Sequence, residues 1–178
     1  MPAGRQTIRR ARADELGQLR DIEAAAGELF ADVGMTSISE HGPPPVEVFE
    51  RYWRDGRAWV STDSDDRPVA YLIADRVDGN GHIEQVSVHP DFSRRGIGRS
   101  LIDHAEAWAA SRGLAALTLT TFAEVPWNGP YYSRCGFTPM AEPDMGPELA
   151  ARWAEERARG LSVHPRVAMI RPVRSDAD

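Results

Sequence analysis

The stretch His82–Ser100, HIEQVSVHPDFSRRGIGRS, constrains the fold more than any other part of the chain. Ile83 to Val88 reads as a β-strand that stops at Pro90, because proline has no amide with which to extend a ladder. Arg94-Arg95-Gly96-Ile97-Gly98-Arg99 then leads into a helix beginning near Gly98. A strand feeding a glycine turn and a helix makes an anion site. The glycines let the backbone come close, and the unpaired amides of the first helical turn point along a favourable dipole. Three arginines beside it imply a phosphate-bearing ligand. The dinucleotide fingerprint is excluded because its third glycine would fall at Leu101, and no Gly-Lys-Ser/Thr marks a P-loop. Alone, the stretch also fits an ordinary strand-to-helix turn with solvated arginines, so its flanking elements decide the matter.

Those elements follow from periodicity and turn chemistry. Thr7 to Arg12 is a strand candidate, and Asp14 is placed to cap a helix whose apolar Leu16, Leu19, Ile22, Ala26, Leu29, Phe30 and Val33 recur at three and four, with Gly34 as its stop. Met35 to Pro45 is a turn-rich, lid-like link ending in three prolines; Val46, Phe49 and Trp53 mark a second helix closed by Gly56. Strands are predicted at Ala58–Ser61 and Val69–Val77, and Asp78-Gly79-Asn80-Gly81 is a hairpin signal leading into the central strand. After a helix from Gly98 to Arg112 capped by Gly113, Leu114–Thr121 reads as a buried strand. Since it follows a strand and a crossover helix, it should lie parallel to Ile83–Val88. Phe122–Asn128 is a loop, Gly129–Cys135 a short helix with Pro130 in its first turn, and Phe137–Met140 a strand start. Pro147 opens a helix with Leu149, Ala150, Trp153 and Ala154 on one face, and Val167–Ile170 is a last strand.

A chain of 178 residues, 42% hydrophobic and 27% charged, with no repeat or dividing linker, is expected to be one globular domain over 1–178, with residues 1–6 and 174–178 disordered. No apolar run reaches the length of a membrane span and the first residues lack a secretory apolar region, so the expectation is a soluble, cytoplasmic protein without a membrane partner. A net charge of −6 argues against a nucleic-acid partner. The single cysteine, Cys135, excludes an internal disulfide, and no ligand cluster suggests a metal. Cys135 reads as a small packed residue; His41, His89, His104 and His164 read as surface or packing residues.

The order of elements, with Tyr132-Ser133-Arg134-Cys135-Gly136-Phe137 after the parallel strand, resembles the GCN5-related N-acetyltransferase (GNAT) family over about residues 7–140. That family's acetyl-CoA signature is a strand ending in V-x-P, a Q/R-x-x-G-x-G/A turn and a later Tyr-x-x-x-Gly-Phe. One position departs from it: Ser93 stands where the family carries Gln or Arg. Backbone amides do most of the phosphate binding, and Arg94 or Arg95 can supply the missing charge. The resemblance implies an α/β (α+β) fold, a mixed and mainly antiparallel sheet of six to seven strands flanked by helices and splayed between the Val88 and Thr118 strands. It also implies acetyl-CoA as co-substrate, with no metal. Pantetheine would pair with the backbone of Val86 and Val88, and the pyrophosphate would sit on the amides of Arg94, Arg95, Gly96, Ile97, Gly98 and Arg99 with the Ser100 hydroxyl.

The activity implied is direct acetyl transfer to a primary amine, of a small molecule or of a peptide or protein, in a ternary complex. An ammonium must lose a proton, a carbonyl oxygen must be stabilised and a thiolate must be quenched. Glu84, two residues before Val86, is the first candidate base, acting directly or through water; its plain alternative is a surface carboxylate on a strand edge. His82 comes next, then Glu124. Tyr132 matches the family tyrosine that protonates the sulfur, against the alternative of a packed aromatic, with Tyr131 adjacent. The Val88 amide is the expected polariser of the thioester oxygen. Trp127, Asn128, Phe30 and Met35 are candidates for the acceptor pocket, although core packing competes for Phe30 and a helix cap for Asn128. A non-catalytic acyl-CoA-binding or regulatory module of the same fold stays open, as do a binder of another phosphate ligand and the choice between monomer and homodimer.

Overall fold

The computed structural model describes residues 6–174; residues 1–5 and 175–178, expected to be disordered, lie outside the described residues. A seven-stranded sheet has the order β1-β2-β3-β4-β5-β7-β6. Its strands are β1 (Thr7–Arg10), β2 (Ala58–Thr62), β3 (Pro68–Val77), β4 (Asn80–Val88), β5 (Ala116–Phe122), β6 (Thr138–Met140) and β7 (Arg166–Pro172). The helices are α1 (Leu16–Gly27), α2 (Thr36–Glu40), α3 (Val46–Arg54), α4 (Ile97–Ser111), α5 (Gly129–Arg134) and α6 (Pro147–Ala158). β4 and β5 are parallel, paired at Gly81↔Leu117 and His82↔Thr118, while β1–β2, β2–β3, β5–β7 and β7–β6 are antiparallel. The mixed, mainly antiparallel α/β class read from the sequence is the class observed. The chain forms two compact units, Met1–Ala74 with Gln85–His104, and Asp75–Glu84 with Ala105–Asp178.

In the first unit, Leu16, Leu19 and Ile22 of α1 pack with Phe49 and Tyr52 of α3, Ala58 and Val60 of β2, and Tyr71 and Ile73 of β3. Each large side chain buried this way contributes about 2 kcal/mol. Phe49 meets Tyr71 edge-on at 5.4 Å. The sequence placed Trp53 on the inner face of α3, but Tyr52 is the buried residue and Trp53 packs only in part; Phe49 and Tyr52, three apart, share one face. Asp14 is exposed and is not the cap of α1. Glu15 stands at the N-cap position of α1 without a side-chain bond to that helix; its carboxylate accepts instead from the Arg12 amide at 2.8 Å and from Arg9 at 2.6 Å, closing the 3-10 turn Ala13–Glu15. The helix predicted through Val33 tightens at Gly27 into a 3-10 segment, Glu28–Val33, that ends on Gly34 with φ +77°. No residue of that segment is buried, so packing adds little to hold α geometry past a glycine. The link after it is not wholly irregular, since it contains α2.

In the second unit, β5 pairs with β7 along its whole length, from Ala116↔Pro172 to Phe122↔Arg166. Asp78, which the sequence marks only as a turn residue, caps α6. Its two carboxylate oxygens accept from the amides of Glu148 (3.0 Å) and Leu149 (2.9 Å), and the Glu148 side chain accepts from the Asp78 amide at 2.8 Å. A Cβ at Gly146 would collide with that carboxylate. Glu106 of α4 is a second hub: it accepts from Arg171 of β7 at 2.8 Å and from the amide and guanidinium of Arg174 at 3.0 and 3.1 Å. Arg174, the last described residue, thus pairs with Glu106 through an exposed side chain.

Candidate active site

The anion turn belongs to the first unit. The amide of His89 bonds to the Val69 carbonyl at 2.9 Å, and Pro90–Phe92 then forms a 3-10 turn. Ser93, the position departing from the family pattern, donates its hydroxyl to the Pro90 carbonyl at 2.8 Å and so closes that turn. Arg94 and Gly96 follow with φ +61° and +77°. A Cβ at Gly96 would meet nothing within 4 Å, so the backbone conformation, not crowding, calls for glycine there. Arg94, Arg95, Gly96, Arg99 and Ser100 are exposed, and Ile97 and Gly98 are buried where α4 begins. Arg95 folds back, donating to the Asp91 carbonyl at 3.3 Å with its guanidinium 5.1 Å from the Phe92 ring. The Ser100 hydroxyl donates to the Gly96 carbonyl at 3.0 Å. Upstream, Val86 and Val88 of β4 are half-buried.

Also in the first unit, Met35 is buried and Phe30 half-buried, and the Met35 amide bonds to the Phe30 carbonyl at 2.9 Å. Sequence reasoning passed over Glu23 of α1. One oxygen of its carboxylate accepts from the Tyr71 hydroxyl at 2.6 Å and from the Ser87 hydroxyl at 2.5 Å, tying the helix to the strand between Val86 and Val88. Its place one residue after the buried Ile22 was the only available signal.

The second unit holds Tyr132. Gly129 opens α5 where a Cβ would stand 2.5 Å from the Ala123 carbonyl oxygen, so the loop after β5 and the helix start touch backbone to backbone. Asn128 is the N-cap residue, but its side chain makes no cap bond. The amide nitrogen donates to the Trp127 carbonyl at 3.2 Å, and Oδ1 is buried without a hydrogen-bond partner among the described residues. Trp127 is half-buried and Glu124 exposed. Tyr132 is buried, edge-on to Tyr131 at 5.4 Å and to Phe137 at 5.9 Å. Gly136, with φ +91°, lets the Phe137 amide return to the Tyr132 carbonyl at 3.0 Å. That backbone bond closes the turn after α5 and fixes the spacing between Tyr132 and Phe137. Cys135 is buried, and its carbonyl accepts from Arg171.

Glu84 and His82 lie in a cluster of the same unit. Arg152 of α6 donates to Glu84 at 2.8 Å and to Asp75 at 2.9 Å. His82 bonds through Nδ1 to the Thr118 hydroxyl at 2.9 Å, and its Nε2 lies 3.8 Å from Glu84. Burial, reinforced by the charge of Arg152 and opposed by Asp75 and Asp78, pushes the His82 pKa down to about 4. The Glu84 carboxyl is shifted the other way. Displaced water raises its pKa above the ordinary carboxylate value; Arg152 opposes the rise, Asp75 and Glu156 add to it, and Arg159 lowers it again. Beside them Glu156 accepts from Thr120 at 2.8 Å and pairs with Arg166 at 3.2 Å. Neither Asp75 nor Arg152 was singled out from sequence, since nothing local marks a contact across 77 residues.

The mixed sheet and the turn before α4 define the fold class, and comparison with known proteins gives the family. Residues 22–137 match the acetyltransferase (GNAT) family, and the chain belongs to it. A [ribosomal protein bS18]-alanine N-acetyltransferase of Salmonella typhimurium is 34% identical over 74 residues, which are 42% of this chain. The match spans half the length of that curated relative. The ribosomal-protein-S18-alanine N-acetyltransferase of Escherichia coli has the same fold, with a TM-score of 0.67 at 17% identity over 98% of this chain and 97% of that one. So does the PaiA N-acetyltransferase of Thermoplasma acidophilum, solved in complex with coenzyme A, with a TM-score of 0.70 at 13% identity over 94% and 99% of the two chains. Among the described residues, no helix is long and apolar enough to cross a membrane.

Proposed function

We propose that the chain is an acetyl-CoA-dependent N-acetyltransferase that moves an acetyl group directly to a primary amine of a small molecule, peptide or protein. The observation that carries this reading is the exposed turn with positive φ at Arg94 and Gly96, at the N-terminus of the 15-residue α4. Such a turn suits a pyrophosphate, since open space beside Gly96 leaves the backbone approachable. The coenzyme A held by the Thermoplasma protein of the same fold supports it.

Acetyl-CoA supplies an activated acyl carbon and a thiol leaving group. The amides of Arg94, Arg95, Gly96, Ile97, Gly98 and Arg99 hold its phosphates, and Ser100 joins them by exchanging its bond to the Gly96 carbonyl. The backbone of Val86 and Val88 pairs with the pantetheine, and the Val88 amide polarises the thioester oxygen. Glu84 takes the proton of the acceptor ammonium, directly or through water, and the amine nitrogen bonds to the acyl carbon. The Tyr132 hydroxyl protonates the sulfur as the carbon–sulfur bond breaks. His82, at about 4, is the weaker base of the pair, and Glu124 lies exposed on its loop. Trp127, Asn128, Phe30 and Met35 contact the acceptor. The reaction needs no metal and no nucleic acid, and belongs to the cytoplasm, in a monomer or homodimer.

Release of free thiol from acetyl-CoA against a panel of amines tests the reading. The panel includes small amines, a lysine peptide and a peptide beginning with alanine, the last suggested by the names of the two ribosomal-protein enzymes. The chain contains no lysine, so acetyl-lysine found after reaction with a protein belongs to the substrate. Tyr132→Phe is expected to slow transfer about 100-fold with coenzyme A affinity unchanged; full activity refutes the acid role. Coenzyme A binding without turnover on any amine favours the non-catalytic module, and tighter binding of ATP than of coenzyme A overturns both.

A further inference from the structure

Arg152 has no part in the steps above, yet it touches the group that starts them. We propose that Arg152 is a positioning residue for acetyl transfer: spanning Asp75 and Glu84, its guanidinium keeps the Glu84 carboxylate ionised and aimed at the acceptor ammonium. This rests on the base role of Glu84.

The geometry is a fork. Nη1 donates to Glu84 and Nη2 to Asp75, so two nitrogens of one rigid plane fix the positions of two carboxylates on neighbouring segments of β3 and β4. Asp75 is buried while Glu84 stands exposed beside it, and a carboxylate close to another is driven to hold a proton. A base that already carries its proton accepts none, so the site needs a cation. His82 is not that cation: it is buried and tethered to Thr118. Glu156 of α6 adds negative charge and Arg159, just past its end, positive charge, while Glu156 is itself paired with Arg166. Arg152 is the guanidinium in contact with Glu84, and because it also holds Asp75 it neutralises that neighbour without fully quenching Glu84.

The test is the pH profile of kcat/KM for the wild type and for Arg152→Gln, Arg152→Lys, Asp75→Asn and Glu84→Gln, with acetyl-CoA affinity measured alongside. Loss of an adjacent opposite charge raises a carboxyl pKa by about 1 or more. Arg152→Gln should therefore move the acid limb up by about one pH unit, a loss of about tenfold at a pH below the limb, with acetyl-CoA affinity unchanged. Arg152→Lys should recover part of it. Asp75→Asn should move the limb down, because Arg152 is left to Glu84 alone; a merely structural role gives no such opposed shifts. An unmoved limb in Arg152→Gln, with Glu84→Gln inactive, overturns the inference and leaves the base role standing. A fully active Glu84→Gln overturns the base role and this inference together. If Arg152→Gln does not fold, Asp75→Asn decides: a limb that stays or rises overturns the inference.

Discussion

Replacing Glu106 by glutamine is expected to remove about 3 kcal/mol of stability at pH 7, and the loss should vanish in acid. Burial alone would raise the Glu106 pKa, but hydrogen bonds from Arg174, then those and the charge of Arg171, hold it down to about 2, against an ordinary 4.5. A carboxylate so depressed contributes about 3 kcal/mol. The contribution is complete above about pH 5, where the unfolded chain is ionised too. It is lost as pH falls towards 2, because the unfolded chain takes up the proton first. Breaking a buried pair by removing one partner costs about 3–5 kcal/mol, which agrees in size. Urea unfolding followed by circular dichroism at several pH values between 7 and 3 measures it. With an m-value of about 2 kcal/mol/M, the midpoint should drop by about 1.5 M at pH 7, and the two proteins should converge in acid. A gap that stays constant over that range refutes the electrostatic account and makes Glu106 a packing residue. No gap at pH 7 refutes the hub itself.

Other expectations follow from single contacts. Asp78→Ala removes both acceptors at the start of α6 and puts alanine at φ +52°; it should cost about 2 kcal/mol in thermal unfolding, with Asp78→Asn milder. Gly129→Ala forces a Cβ against the Ala123 carbonyl and should cost about 1–3 kcal/mol while slowing thiol release through a displaced Tyr132. The His82 imidazole should stay neutral until about pH 4 in an NMR titration, and a midpoint near 6.5 would contradict its burial.

Much of the fold was legible because it rests on local rules. Gly34, Gly56, Gly96, Gly113 and Gly136 all take positive φ where the sequence marks turns or helix ends, and β4 ends before Pro90 as the missing amide requires. Structure and local pattern part where two local signals compete. Asp14 and Glu15 are both acidic residues before α1, and only the position of Arg9 on β1 selects Glu15. Periodicity cannot see that Leu29 and Phe30 reach only half burial, so it carries the helix past Gly27. Asn128 has the chemistry of a cap, but a backbone at φ −116°, ψ −112° goes with a side chain that makes no cap bond.

Local stereochemistry is enough to set the order of the elements, the anion turn after β4, and the tyrosine whose carbonyl receives the Phe137 amide. These are decided within a few residues by backbone stereochemistry and hydrogen bonds. The surroundings of Glu84 and Glu106 come instead from long-range packing. Their arginine partners stand 68 and 65 residues away in sequence. An ion pair depends on distance in space, and strand register, helix placement and the Asp78 cap set that distance together, so no single segment encodes it.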